Sequence, residues 1–208
     1  MENIITVEHV TKRFGQATVL NDINVSFEKG KIHGLIGRNG SGKTVLMKCI
    51  CGFVPVTEGK IIVNGKQIGK DIDVPDNIGA IIETPGFLYN YSGYNNLRFL
   101  AGINRKIGKE QIRDAIKMVG LDPDSKKHVG MRQRLGLAQA LMENPELLLL
   151  DEPMNGLDKH GVAEMRELFK KLADEGRTII MANHSAEDIE VLCDTVCEMD
   201  LGVLERIK

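Results

Sequence analysis

Apolar and polar residues alternate over much of the first third of the chain. Residues 4–10, 19–27, 31–36 and 60–63 are rich in Val and Ile, and Gly30-Lys31 and Asn64-Gly65 supply turn signals between such runs. A period of two predicts strands. Beyond residue 44 the period changes: Val45, Leu46, Cys49 and Ile50 fit one face of a helix that Gly52 ends. From about residue 93 to 142 the pattern is helical, with Ile112, Ile116 and Val119 on one face and Leu135, Ala138, Leu141 and Met142 on another. Pro145 marks a break. The last third alternates again. Residues 147–150 read as a buried strand. Val162, Met165, Leu168, Phe169 and Leu172 form a helix face closed by Gly176, and residues 177–182 form another strand. Strand-helix-strand alternation implies a parallel sheet with helices on its faces, an α/β fold.

Bulk properties narrow the function classes. The chain has 208 residues, 42% hydrophobic and 27% charged, with net charge −2 and 4% aromatic residues without Trp. A broad nucleic-acid surface or a base-stacking platform is not expected from that balance. No basic stretch followed by an apolar one opens the chain, so no secretory leader is expected. The aliphatic runs fall far short of the roughly 20 residues that span a membrane. Work at a membrane therefore requires recruitment by a partner. Cys49, Cys51, Cys193 and Cys197 lack zinc-finger spacing and are expected as reduced, buried thiols.

Three sites carry chemistry. Gly37, Arg38, Asn39, Gly40, Ser41, Gly42, Lys43 and Thr44 fit GxxxxGK[ST], entered by a strand and left by a helix. Glycines let backbone N–H groups turn inward and the helix N-terminus adds positive potential, so the loop is expected to cradle ATP phosphates. Lys43 would neutralise the β- and γ-phosphates, and the Thr44 hydroxyl would bind Mg²⁺. The second site is Asp151-Glu152 at the end of the apolar run 147–150. Asp151 would hold Mg²⁺ and Glu152 would orient and deprotonate the attacking water. The third is His184, which follows a strand and so belongs at the same carboxyl edge of the sheet. Its expected role is a hydrogen bond to the γ-phosphate.

This order of motifs, with Asn155-Gly156-Leu157-Asp158 directly after Asp151-Glu152-Pro153, resembles ABC transporter nucleotide-binding domains over essentially the whole chain. The resemblance implies a P-loop NTPase (RecA-like) core with an antiparallel β subdomain and an inserted α-helical subdomain. Residues 1–84 would hold the β subdomain and the first part of the core, 85–142 the helical subdomain, and 143–208 the rest of the core. It implies ATP and Mg²⁺ as cofactors, a transmembrane permease subunit as partner and no nucleic acid. A second nucleotide-binding domain, identical or different, would pair head to tail, and the chain would lie in the cytoplasm on the inner face of the membrane. Phe14 resembles the aromatic that stacks on adenine, and the stretch from Asn155 to Asp158 resembles the loop that communicates across the dimer.

Two departures from the family stand out. Where most members have Gln, this chain has Glu83, within Ile81-Ile82-Glu83-Thr84-Pro85-Gly86-Phe87, which resembles the bacitracin and lantibiotic self-protection subgroup. A carboxylate there can bind Mg²⁺. Beside a metal-free triphosphate a bare carboxylate adds repulsion of about 4 kcal/mol at about 4 Å and an effective dielectric near 20. The sequence alone therefore predicts a stronger Mg²⁺ requirement for nucleotide binding than in a Glu83→Gln variant. The aromatic segment that follows, Phe87, Leu88, Tyr89 and Tyr91, is expected near the groove that receives the membrane partner.

The second departure is in the signature that caps the partner's ATP. Gly130 stands 21 residues before Asp151, in register with the family, and Met131 follows it, but His128 stands where a Ser is usual. One reading is a variant signature. The other, favoured by the closeness of Lys126-Lys127-His128-Val129-Gly130 to what usually precedes the motif, is loss of about five residues. Loss predicts intact ATP binding with weak dimer closure and weak hydrolysis. Two alternatives to a transporter subunit stand beside this reading: a soluble ABC-type ATPase and a non-hydrolysing ATP-binding regulator.

Overall fold

The computed structural model describes residues 2–125 and 132–208. Gly130 and Met131 of the signature region lie outside the described residues.

Two sheets organise the fold. Strands β1 (Asn3–Phe14), β2 (Ala17–Glu28), β4 (Glu58–Val63) and β5 (Lys66–Gln67) form an antiparallel sheet in the order β2-β1-β4-β5. The second sheet has six strands in the order β10-β9-β3-β8-β7-β6. These are β3 (Ile32–Ile36), β6 (Ile78–Ile81), β7 (Leu147–Asp151), β8 (Thr178–Ala182), β9 (Thr195–Asp200) and β10 (Val203–Arg206). All its pairings are parallel except β10 against β9. Parallel strands are buried on both faces, which explains the unbroken Leu run of β7. Leu147 and Leu149 enter one core with the antiparallel sheet, while Leu148 and Leu150 enter the other, with the helices.

Helix α1 (Lys43–Ile50) follows β3 and buries Leu46, Met47, Cys49 and Ile50. Among the described residues three helices lie between β6 and β7 in the chain: α2 (Gly93–Asn104), α3 (Lys109–Met118) and α4 (Arg132–Leu141). Ser92 caps α2 by accepting the Asn95 N–H. Buried Asn96 accepts the Leu88 N–H and donates to the carbonyls of Leu88, Tyr91 and Ser92, so this loop is ordered by one side chain. Phe87 is in the core, in the same helical cluster as Leu97 and Leu135. Leu88, Tyr89 and Tyr91 are exposed.

Helix α5 (Lys159–Asp174) starts at Asp158, whose carboxylate accepts the Gly161 N–H at 2.7 Å. Short helix α6 (Ala186–Leu192) starts at Ser185. All four cysteines are free and buried. Burial pushes the Cys49 thiol up to about 11 and those of Cys51 and Cys193 to about 12, which leaves them protonated and inert near neutrality.

Candidate functional site: a phosphate loop facing two carboxylates

The phosphate loop leaves the sheet between its central strands and turns directly into α1. Gly37 has φ 140°, and a Cβ there would stand 2.1 Å from the Met199 carbonyl oxygen. Only glycine permits that approach. Lys43 is buried, and its Nζ donates to the carbonyls of Gly37 (2.7 Å) and Arg38 (3.0 Å). The ammonium is thereby held beneath the loop, pre-positioned for anionic oxygen. Ser41 Oγ is also buried and, among the described residues, has no hydrogen-bond partner.

The parallel register brings the second motif to the same edge. Thr44 Oγ1 donates to Asp151 Oδ2 at 2.7 Å, although the two residues are 107 positions apart. Val19, Asn39, Gly40, Gly42, Lys43, Thr44, Val45, Asp151 and Glu152 line one cavity of about 330 Å³. A hydroxyl and a carboxylate in contact, at the start of a helix, suit Mg²⁺, which takes one or two protein oxygens and completes its shell with phosphate and water. Among the described residues no cluster of three or more His, Cys, Asp or Glu side chains forms a self-sufficient metal cage. The donor set therefore fits a metal that arrives with its nucleotide.

Glu152 is tightly constrained. It has φ 52°, its N–H donates to the Ala182 carbonyl at 2.9 Å, and its own carbonyl accepts from Gln133 Nε2 at 2.9 Å. Its Oε2 lies 2.6 Å from His184 Nδ1. A non-glycine residue in this region costs about 1–3 kcal/mol and persists where surrounding bonds enforce it. The loop carrying His184 is itself braced. Asn183 accepts the Ser185 N–H and donates to Asp188, which also binds Arg166 of α5. Gln133, Asn183, Asp188 and Arg166 were not apparent from the sequence. Their partners come from other elements or a short loop, and no periodicity marks them.

Other expected site residues lie apart. Gly37 and Arg38 border, with His184, a neighbouring cleft of about 720 Å³ between α6 and β9. Phe14 is exposed at the end of β1, with Lys12 Nζ 4.7 Å from its ring centre. Glu83 does not line the phosphate cavity; its carboxylate is bound to Lys48 at 2.5 Å. Asp158 serves as the cap of α5.

The sequence model of the ABC transporter family matches residues 20–155. The chain belongs to the ABC transporter family. Over 207 residues it is 43% identical to the uncharacterized ABC transporter ATP-binding protein YybJ of Bacillus subtilis, covering 97% of this chain and 95% of that one. It is 42% identical to the bacitracin transport ATP-binding protein BcrA of Enterococcus faecalis, covering 98% of this chain and 68% of BcrA. That alignment runs over 211 residues, more than the 208 of this chain, so BcrA carries residues without a counterpart here. In fold, the dimeric bacterial ABC transporter cassette MJ0796 superposes with a TM-score of 0.86 at 22% identity, covering 98% of this chain and 99% of that one. This ABC transporter ATP-binding subunit thus has the cassette architecture expected from its motifs. Among its described residues no helix is long and apolar enough to cross a membrane.

Proposed function

We propose that this subunit hydrolyses ATP to drive a transporter acting on a peptide antibiotic of the bacitracin or lantibiotic kind. The convergence of Lys43, Thr44, Asp151 and Glu152 on one cavity, with His184 against Glu152, carries the reading. In it, residues 37–44 hold the triphosphate, and Thr44 and Asp151 hold Mg²⁺. Glu152 accepts the proton of the attacking water, and His184 keeps that carboxylate aligned and bonds the γ-phosphate. Phe14 stacks on adenine. When bound, Mg²⁺ would supply charge neutralisation at the phosphates.

The chain would lie on the cytoplasmic face of the membrane, tied to a permease, and pair with a second cassette through Asp158 and the stretch at Gly130 and Met131. A groove of about 340 Å³ supports the permease contact. Phe53, Val74 and Ile103 line it and are exposed apolar side chains. It lies between the end of α1, β6 and α2, and the residues of 87–91 are not among its walls. In this reading the signature, with His128 where a Ser is usual, is shortened and limits turnover.

Three proteins test the proposal: this chain, Glu152→Gln, and a variant with a full signature inserted before Arg132. All three are expected to bind Mg²⁺-ATP. Hydrolysis should be slow in the first, absent in the second and raised in the third. Failure of the third to turn over would refute the hydrolytic reading in favour of a non-hydrolysing regulator. Fast, cooperative hydrolysis by the unaltered chain would refute the limit set by the signature.

A further inference from the structure

Three consecutive side chains tie the first turn of α4 to three different parts of the fold. The Arg132 guanidinium stands 4.3 Å from the ring centre of Tyr89, in the loop before α2. Arg134 bonds the Val119 carbonyl and Glu164 of α5. Between them Gln133, half-buried, donates from Nε2 to the Glu152 carbonyl at 2.9 Å. This middle contact reaches a wall of the phosphate cavity, because Glu152 lines it beside Lys43, Thr44 and Asp151.

The geometry of Glu152 depends on how its two peptides are held. Its φ of 52° is one that a residue with a side chain resists. On one side its N–H is anchored to the end of β8, through the Ala182 carbonyl at 2.9 Å. On the other side stands Pro153, so the joining peptide has no N–H and its carbonyl is the one polar group by which it can be held. That carbonyl accepts from the Asn155 N–H at 3.1 Å and from Gln133. The Asn155 bond closes the turn 152–155 on itself and moves with it. Among the described residues, the Gln133 bond is the one that fastens this carbonyl to another element. Proline locks its own φ near about −65°, so a tilt of the peptide is taken up at the Glu152 Cα instead. Such a tilt turns the carboxylate out of line with His184 Nδ1, which lies 2.6 Å from Oε2.

We propose that Gln133 is a positioning residue for hydrolysis: through the Glu152 carbonyl it aims the Glu152 carboxylate, so the seating of α4 sets the rate of ATP cleavage without altering nucleotide binding. The proposal rests on the reading that Glu152 accepts the proton of the attacking water. Binding is spared because Lys43 is held by the carbonyls of Gly37 and Arg38, and Thr44 by Asp151, with no part played by Gln133. Stability is spared because the Glu152 carbonyl keeps the Asn155 N–H and is not left unpaired.

The test is Gln133→Met, which keeps the length of the stem and removes the donor. Three quantities are measured on the full chain: the Mg²⁺-ATP dissociation constant, the rate of single-turnover hydrolysis with protein in excess, and Tm. Hydrolysis is expected to fall about ten-fold, a part of the roughly 10²–10⁴ that a well-placed general base contributes. The dissociation constant stays within about two-fold, and Tm within about 2 °C. The rate ratio is the same at every protein concentration, since the deficit lies in the chemical step. Equal rates for Gln133→Met and the unaltered chain would overturn the proposal. So would a deficit that closes as protein concentration rises, because Gln133 would then act on the pairing of cassettes. Parallel losses of affinity, Tm and rate would overturn it in favour of a purely structural role. Gln133→Leu gives the same comparison if Gln133→Met does not fold. The comparison is repeated in the variant with a full signature inserted before Arg132. Absence of hydrolysis from that variant and from the unaltered chain, both with Gln133 intact, would refute the hydrolytic reading and this proposal with it, a result distinct from equal rates.

Discussion

Arg134 is the residue whose removal should most clearly loosen the helical region from the catalytic core. It sits in the first turn of α4, is 8% exposed, and donates from Nη1 to the Val119 carbonyl at 2.9 Å and from Nη2 to Glu164 of α5 at 2.6 Å. Two glycines make room for it. A Cβ on Gly120 would stand 2.6 Å from Nη1, and one on Gly161 would stand 2.8 Å from Nη2. Arg134→Met keeps the length of the apolar stem and removes every donor. The Val119 carbonyl is then buried and unpaired, and losing a hydrogen bond from a charged donor at such a site costs about 1.5–3 kcal/mol. The Glu164 carboxylate is open to water and resolvates, so its lost bond adds little. A loss of about 2 kcal/mol corresponds to a fall in Tm of about 4–8 °C for a domain of this size. Thermal unfolding followed by circular dichroism measures it. Arg134→Lys should fall between, having one ammonium for two divergent acceptors. Glu164→Gln should show only a small fraction of the shift. A fall of less than about 1 °C in Arg134→Met, or an equal fall in Glu164→Gln, would refute the assignment of the energy to the buried carbonyl.

Two further outcomes follow from single contacts. Gly37→Ala places a methyl group 2.1 Å from the Met199 carbonyl oxygen, so the phosphate loop must open; ATP affinity should fall by at least about ten-fold, near 1.4 kcal/mol, and calorimetric binding at the unaltered level would contradict the loop geometry. His33 is fully buried between Thr195 Oγ1 (2.7 Å) and the Glu28 carbonyl (2.8 Å), and burial lowers its pKa from 6.5. Below pH 6.5 the unfolded chain takes up a proton that the native ring resists, so stability is full above that pH and declines as pH falls toward the native value, by at most about 1.4 kcal/mol per pH unit. Urea unfolding between about pH 5 and 7.5 should show this slope in the unaltered chain and lose it in His33→Leu, and a slope that survives in His33→Leu would refute the assignment.

What could be read in the sequence was chemistry confined to one stretch of backbone. The glycines of the phosphate loop, the Leu run of β7 and the apolar face of α5 each announce themselves through spacing, because strand, turn and helix periods are local properties. The elements that escaped notice are short or irregular. Helix α6 has seven residues, and β9 and β10 mix Cys, Met and Glu along an antiparallel edge. β1 runs on to Phe14 past the point where its alternation breaks, because register shifts between Val7 and Val10 interrupt the period without ending the pairing to β2.

Polar contacts between distant segments were wholly hidden, and they decide how the motifs act. Gln133 reaches across 19 positions to the Glu152 carbonyl, and Lys48 reaches across 35 to Glu83. Each alters the chemistry assigned to its partner. A carboxylate at position 83 read alone predicts repulsion of a metal-free triphosphate, whereas the same carboxylate bound to an ammonium on α1 predicts almost none. A substitution at 83 therefore has no fixed electrostatic meaning until the residue at 48 is known.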